Sequence, residues 1–581
     1  MRTASQIGAA IERERDISRQ PIFATAKQVV ASAGGIRIDL DDVSDPFKRP
    51  VDEALEGAKA WWKDEVPTMA EIHAVDPDRP SIFARYLSGP KPELGQRIAI
   101  YETDYLKALA ELWSIPDHAA AALAKLSPKR HPLQEPHPAI DVSFLRSSQR
   151  KALALPRHNT ALLWGPPGTG KTTTIGILVA NEIVSNASVR VLIAATTHTA
   201  VDQSVRHVDI ALLQCGRLDL RQRVKRFGSG VDPKFYLGCE HLLPVQDKDS
   251  FAKLAALIER EPPKRELEEW AAWKHDVDVL RARLKASVLQ ILAENSCVGM
   301  TVTSALFWFQ ELRAAGVDVL IIDEASQLSG PAAQMVALVG RNVLFAGDPK
   351  QLSAVVRTKD AQAKKILSET AFDIVKDAPQ IFLEEQSRMA PPICAVVSKI
   401  FYGGRLRVAQ RELQDKTWKL ERSSYWLNGR EQPQLQIRST NAVSTWSSKY
   451  KGPIRYDSAK AVLDLVDEIL GINEVAENIL ILTPFRAQRA LLNMLIEMRK
   501  IKGLKVSTVH KAQGGERKIV IIDPVDGSNA FLKGTEGDRL INVAISRAQS
   551  WAILFLSDID LSNSTLSRIA ELAGSKLKAL A

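Results

Sequence analysis

From about residue 141 onward, short apolar runs recur along the chain at wide intervals. TALLW (160–164), VRVLIAAT (189–196), VDVLIID (317–323) and NVLFAGD (342–348) are the first four. Each is short and near-continuously apolar, as a strand buried on both faces must be. Helical segments separate them, so the pattern predicts βαβ units and a parallel sheet. After residue 379 the rhythm returns with QIFLEE, NILILTPF, RKIVIIDPV and WAILFLS. The expected fold class is therefore α/β, with two parallel-sheet domains in tandem at 141–378 and 379–581. Residues 1–140 read as a mostly helical accessory region.

Two insertions interrupt the rhythm. Between about 205 and 295, Leu267, Trp270, Trp273, Val277, Leu280, Leu284, Val288 and Ile291 recur every three or four positions and form one apolar helix face. A preceding helix around Phe251 to Ile258, separated from it by EREPPK, predicts an antiparallel helical hairpin. Around 405–456, Trp418, Tyr425, Trp426, Trp446 and Tyr450 interleave with Lys and Arg. That composition suits single-stranded nucleic acid, and ordinary strand packing accounts for it equally well. Trp61 and Trp62 in WWKDE read as local packing, and the proline-dense SPKRHPLQEPHPAID as an extended linker.

The 581 residues are 45% hydrophobic and 25% charged, ordinary for a globular protein. No run approaches the roughly 18 apolar residues of a membrane span, and the first residues are too charged for a secretory signal. A cytoplasmic, membrane-free protein is expected. The four cysteines, Cys215, Cys239, Cys297 and Cys394, are scattered without CxxC spacing. That spacing disfavours a zinc ribbon, an iron–sulfur cluster or a disulfide framework. A net charge of +9 is compatible with a polyanionic partner.

LLWGPPGTGKTTT supplies the first chemistry. Gly165, Pro166, Pro167, Gly168, Thr169, Gly170, Lys171 and Thr172, followed by Thr173, form a GxxxxGK[ST] loop between a strand and a helix. The glycines let backbone N–H groups wrap phosphates, and the helix N-terminus adds free donors. Lys171 is placed for the β- and γ-phosphates of ATP, and Thr172 for Mg²⁺. Asp323, ending its own strand, is a second Mg²⁺ ligand. Glu324 beside it is placed to orient, or take a proton from, the attacking water. One carboxylate for the metal and one for the water separates a hydrolase from a nucleotide binder.

Asp323-Glu324-Ala325-Ser326-Gln327 resembles motif II of the superfamily 1 helicases, in the branch of the nonsense-mediated-decay helicase and senataxin. Other segments follow in the family's order. FLRSSQRKAL offers Gln149, similar to the family's adenine-reading glutamine. VLIAATTHTAVDQ resembles motif Ia, which implies nucleic-acid contacts at Thr196, Thr197 and Asp202. GDPKQL resembles motif III, with Gln351 sensing the γ-phosphate. LEEQSRM resembles the Gln-Tyr-Arg-Met segment and makes Arg388 a candidate arginine finger. LTPFRAQ, with Thr483 and Pro484, looks like the next element. VSTVHKAQGGERKIVIID resembles motif V, with Thr508 and His510 toward the strand and Gln513, Gly514 and Glu516 matching Gln-Gly-x-Glu. RLINVAISRAQ resembles motif VI, with Arg547 as the second finger. Ser387 stands where the family has tyrosine, QLSAVV lacks the usual paired prolines, and His510 replaces a common aspartate.

The resemblance covers about residues 141–560. It implies two tandem RecA-like P-loop domains that close on ATP·Mg²⁺ and move along single-stranded DNA or RNA, 5′ to 3′. Arg221, Arg223, Lys225 and Arg226 in the first insertion either join the grip on the strand or form a solvated basic face. A second reading is a nucleic-acid-activated ATPase switch that docks a protein partner through residues 1–140.

Overall fold

The TALLW-type runs do lie in a parallel sheet. In the computed structural model the described residues are 2–579 apart from 33–34, 48–50, 52–54, 57, 64–66, 77–79, 89, 127–132, 134–135, 137, 229–230, 232, 245–252, 255, 258–259, 261, 263–266, 284–287 and 513–514. Among them, the first sheet has seven strands. Their order is Gln380–Phe382, Thr160–Trp164, Gly340–Gly347, Val317–Asp323, Val191–Ala195, Cys297–Thr301 and Val224–Arg226. All pairs are parallel. Successive side chains serve opposite faces. Leu320 and Ile322 enter one core while Val319 and Ile321 enter the other. That is why these runs are apolar without alternation. Gln380–Phe382, which the sequence reading counts with the second domain, is an edge strand of this first sheet.

The second sheet has five parallel strands in the order Leu435–Ser439, Ala548–Leu556, Arg517–Ile522, Ile479–Thr483 and Lys505–Thr508. Helices Tyr456–Leu470 and Arg486–Arg499 cover one face, and Pro391–Phe401 and Gly534–Ile545 the other. These are two RecA-like α/β units in tandem. In both, the carboxyl ends of the strands line one edge, where open α/β sheets take ligands.

The expectation for the N-terminal region is corrected. Helices Ala4–Arg19, Lys107–Ser114 and Pro116–Lys125 are present, but most of the region between them is strand. Ile22–Ser32, Gly35–Ser44, Lys59–Lys63, Pro67–Val75, Ser81–Ser88 and Arg97–Tyr101 close into a six-stranded antiparallel barrel. Alternate residues such as Ile36, Ile38 and Leu40, or Ile98 and Ile100, fill it. Trp62 lies buried in that core and donates through Nε1 to the Pro90 carbonyl at 2.9 Å, so it is packing, whereas Trp61 is exposed and Asp64 and Glu65 lie outside the described residues. Helix Leu267–Arg283 of the first insertion lies against the barrel, Trp270 and Ala271 meeting Ala74 and Phe83. Val277 packs on Leu254. Leu284 and half of the expected 251–258 helix lie outside the described residues, as does most of the proline-dense stretch.

Cys239, Cys297 and Cys394 are buried and free, and burial pushes the Cys297 thiol up to about 12 and the Cys394 thiol to about 11. Among the described residues no helix is long and apolar enough to cross a membrane.

One buried ion cluster locks the second unit. Arg455 is fully buried and pairs with Asp523 and, at 2.6 Å, with Asp560. Ser458 and Gln488 donate to the same Asp523 carboxylate at 2.9 and 2.8 Å. Asp523→Ala leaves the guanidinium half-paired in the interior, an expected loss of about 3–5 kcal/mol. Thermal unfolding, with faster hydrogen exchange in Ile479–Thr483 and Arg517–Ile522, checks it.

Candidate nucleotide and strand-binding site

The phosphate loop joins strand Thr160–Trp164 to helix Lys171–Ser185. Gly168 and Gly170 sit at φ +72° and +75°, a region that side chains with a Cβ avoid. Gln149 is buried beneath the loop. Its Oε1 accepts from the Arg146 N–H at 3.1 Å and its Nε2 donates to the Thr169 carbonyl at 3.1 Å. The amide thus caps its own helix through Oε1 and props the loop through Nε2. Thr172 and Thr173 are half-buried in the first helical turn.

Lys171 reaches over the end of the intervening strand to the two acids. Its ammonium pairs with Asp323 Oδ1 and, at 2.8 Å, with Glu324 Oε1. Burial pushes the lysine pKa down, but the two carboxylates outweigh it and the net direction is up. Asp323 is buried, with Oδ2 accepting from Ser204 Oγ at 3.1 Å. Glu324 lies at φ +54°, a strained left-handed backbone that aims its carboxylate at the loop. Gln327 Nε2 holds Glu324 Oε2 at 3.1 Å. Burial raises the Glu324 pKa, yet the Lys171 charge and the hydrogen bonds from Lys171 and Gln327 bring it below its ordinary value.

The second unit meets this edge at several points. Gln351 Nε2 donates to Asp348 Oδ2 at 2.8 Å, and its Oε1 accepts from Arg547 Nη2 at 3.1 Å. Burial, then the charge of Arg388, pushes the Arg547 guanidinium down to about 9, so it stays a cation at neutral pH. Arg388 pairs with Glu516, whose other oxygen accepts from Gln549 Nε2 at 2.8 Å. The Ser387 N–H donates to the Gly168 carbonyl at 3.0 Å, so this segment touches the phosphate loop directly. Gln513 and Gly514 lie outside the described residues.

Sequence reasoning missed the residues that tie these parts together. Asp348 is buried, and its carboxylate accepts from Trp164 Nε1 at 2.9 Å and from the Tyr402 hydroxyl at 2.5 Å. Asn542 Nδ2 donates to the same hydroxyl oxygen at 2.9 Å and to the Lys350 carbonyl at 2.7 Å. Asp348 lay in plain view in GDPKQL, whereas Tyr402 and Asn542 carried no signal of their partner. Ser204, which orients Asp323, sits two residues past Asp202 and was equally silent.

The predicted strand contacts divide. Thr196 and Thr197 emerge at the carboxyl end of strand Val191–Ala195, where Thr197 caps helix His198–Gln214. The Thr196 hydroxyl is buried with no hydrogen-bond partner among the described residues. Thr483, Pro484 and Thr508 are buried at the ends of their strands, and His510 is exposed beside them. Asp202 is turned inward: it pairs with buried Arg226 at 2.6 Å and accepts from the Tyr236 hydroxyl at 2.8 Å. The basic insertion residues are likewise committed. Arg221 pairs with Asp209 at 2.7 Å, Arg223 donates to the Ala187 carbonyl at 3.0 Å and Lys225 to that of His241 at 2.5 Å. Internal pairing, rather than an open basic face, accounts for that run.

Two outcomes follow from this geometry. A depressed Glu324 pKa means that its pair with Lys171 stabilises the fold above the unfolded-chain value and stops doing so as pH falls through the folded one. Wild type and Glu324→Gln should differ by about 1–3 kcal/mol near pH 7 and converge as pH drops from about 5 toward 2, measured by denaturant unfolding. Tyr402→Phe removes a donor from buried Asp348, and an expected loss of about 1–3 kcal/mol should appear as a lower unfolding temperature.

Residues 149–357 and 365–558 each match an AAA domain family. An uncharacterized ATP-dependent helicase of Methanocaldococcus jannaschii is 26% identical over 516 residues, covering 79% of this chain and 75% of that one. The DNA replication ATP-dependent helicase/nuclease DNA2 of Homo sapiens is 28% identical over 451 residues, covering 72% of this chain but only 38% of its own length. The crystal structure of Arterivirus nonstructural protein 10, a helicase, aligns over 95% of this chain and 79% of that one at 11% identity, with a TM-score of 0.42. With both AAA domains matched in order on two parallel sheets, and the helicase motifs gathered at their facing edges, the chain belongs to the superfamily 1 helicases.

Proposed function

We propose that this protein is an ATP-driven translocase or helicase on single-stranded nucleic acid, of the DEASQ-bearing branch, hydrolysing ATP between its two sheets. One observation carries the reading. The phosphate-loop lysine pairs with both motif II acids, and a buried arginine of the other unit, held by Gln351, lies within reach of the Glu324 charge in the same cleft. In this reading residues 1–140 form an accessory region, 141–378 the first unit and 379–581 the second, with Gln380–Phe382 crossing that boundary.

The mechanism follows from the charges. Lys171 and the backbone N–H groups of Gly168 to Thr172 would cradle the phosphates. Among the described residues no cluster of three or more His, Cys, Asp or Glu could hold a metal. Mg²⁺ binds through one or two carboxylates plus substrate phosphates and needs no such cluster. Asp323 and Thr172 are the residues that would hold it, and the ion would supply positive charge to offset that of the phosphates. Glu324 then orients the water and takes its proton. Arg547 is an ill-solvated cation pressed by Arg388, and a polyphosphate relieves both. Since each arginine belongs to the second unit, ATP favours the closed cleft and hydrolysis releases it. Gln149 already supports the loop, so any reading of adenine would be made from that buried position.

The strand would run across the carboxyl edges of both sheets, past Thr196, Thr197, Thr483, Pro484, Thr508 and His510. The human relative is named for DNA replication, which favours DNA as the track, and the family resemblance favours 5′ to 3′ motion.

Steady-state ATPase assays without nucleic acid, with single-stranded DNA and with single-stranded RNA test this. Strong stimulation by one polymer is expected, abolished in Glu324→Gln while ATP still binds. Arg547→Ala or Arg388→Ala should lower kcat by about 10³–10⁵. Turnover indifferent to both polymers would sink the motor reading.

A further inference from the structure

The aromatic and basic stretch at 405–456 is the sequence feature that the ATP site leaves unexplained. The structure sorts it. Trp418 is buried, and Tyr425 stacks on Trp551 at 4.6 Å with 12° between the rings. The Tyr450 hydroxyl meets Met494 Sδ at 3.3 Å. Trp446 and Trp426 remain open, 72% and 64% exposed. Their surroundings differ in sign. Trp426 lies across its hairpin from Glu431. Trp446 lies in a hairpin, Thr445–Ser447 against Gly452–Ile454, whose turn carries exposed Lys449 and Lys451.

That second hairpin is fixed in place. A Cβ on Gly452 would come 2.9 Å from the Ala487 Cβ, so strand and helix Arg486–Arg499 are in close contact. Just beyond the hairpin, the Arg455 N–H donates to Gln488 Oε1 at 2.8 Å, and Gln488 Nε2 donates back to the Arg455 carbonyl at 3.1 Å. Phe485 caps this helix, and its ring lies 6.0 Å from Phe531, which lies 5.8 Å from His510. Phe531 is 43% exposed. The rings therefore cluster at the carboxyl ends of strands Ile479–Thr483 and Lys505–Thr508, beside the Trp446 hairpin. This surface looks toward the barrel: Asp41 there is held below its ordinary pKa mainly by the Asp42 N–H, then by Lys27, with Lys451 contributing.

We infer that Trp446 and the Phe485–His510–Phe531 rings form a stacking ledge for unpaired nucleobases on the second unit, with Lys449 and Lys451 taking the adjoining phosphates. The inference rests on the translocase reading above. Exposed rings beside cations match a strand whose bases and phosphates alternate, and a duplex keeps its base faces covered. Trp426, nearly as open but facing a carboxylate across its strand pair, serves as the internal control.

The test uses the full chain and two labelled single-stranded DNA oligonucleotides, one with bases and one abasic, read by fluorescence anisotropy across a salt series. Trp446→Ala should weaken binding of the base-bearing strand by roughly 5- to 150-fold and leave the abasic strand and the salt slope unchanged. Trp446→Phe should recover most of the loss, and Trp426→Ala should bind as wild type. Lys451→Ala should weaken both strands and lower the salt slope by about 1. Equal binding by Trp446→Ala and wild type, or equal losses on both strands, would overturn the ledge while leaving a strand-stimulated ATPase intact. A wild-type chain that bound neither strand would overturn the translocase reading and the ledge together.

Discussion

The Lys171 ammonium, held between Asp323 and Glu324, is the contact on which the cleft depends. Its geometry comes from strand order. Thr160–Trp164 and Val317–Asp323 are not neighbours, for Gly340–Gly347 runs between them. Two strand spacings make about 10 Å, a gap that only a long side chain crosses. The intervening strand ends at Gly347, where a Cβ would lie 3.0 Å from the Ser326 N–H. A small residue there lets the motif II turn fold over the edge, while Gly165, where a Cβ would lie 2.7 Å from the Lys171 Cβ, leaves the lysine its path. The strained Glu324 backbone is then a consequence: the turn is drawn tight so that two adjacent acids face one cation. A buried ammonium without those acids would lose its charge or its burial.

A second constraint ties the two units together. The Asp348 carboxylate is out of water and therefore needs donors. It finds Trp164, Lys350 and Gln351 in its own unit and Tyr402 in the other. Burial still pushes this carboxyl above its ordinary range, so each donor counts. Asn542 and Arg547 complete the same network. Opening the cleft at this point breaks several hydrogen bonds together, in a site where an unmet polar group is costly. The turn after strand Gly340–Gly347 is thereby coupled to the second unit by the chemistry of burial.

The parallel sheets were legible because burial on both faces leaves an unbroken apolar run. The phosphate loop and acids were legible because phosphate chemistry admits few residue types at fixed spacing. The barrel was not. Its interior positions include Ala24, Ala26, Ala58, Ala60, Ala70 and Ala84, since a six-stranded barrel has little room inside. Alanine is a strong helix former, so these strands read as helix. Asp202 and the run Arg221 to Arg226 failed for another reason. A charged side chain reads as solvent-facing until its tertiary partner is known, and here the partners, Asp209 for Arg221 and Asp202 for Arg226, lie on the preceding helix. The aromatic residues at 405–456 were ambiguous because ring exposure is a property of packing, which sorted them individually.

The departure at Ser387 takes on meaning in this frame. Its N–H bonds the Gly168 carbonyl, and a Cβ on Gly168 would come 2.5 Å from the Arg388 Cβ. That glycine therefore answers to two constraints, a left-handed turn for wrapping phosphates and the close approach of the other unit. Arg388 meanwhile is neutralised by Glu516, itself held by Gln549. The proposed finger thus rests against the phosphate loop with its charge already occupied. It can act on a phosphoryl group only by exchanging one anion for another, and a polyphosphate carries more charge than a single carboxylate. In the proposed mechanism Glu516 would set the threshold of that exchange: it keeps a half-buried guanidinium satisfied when the loop holds nothing, and it would yield to a stronger anion.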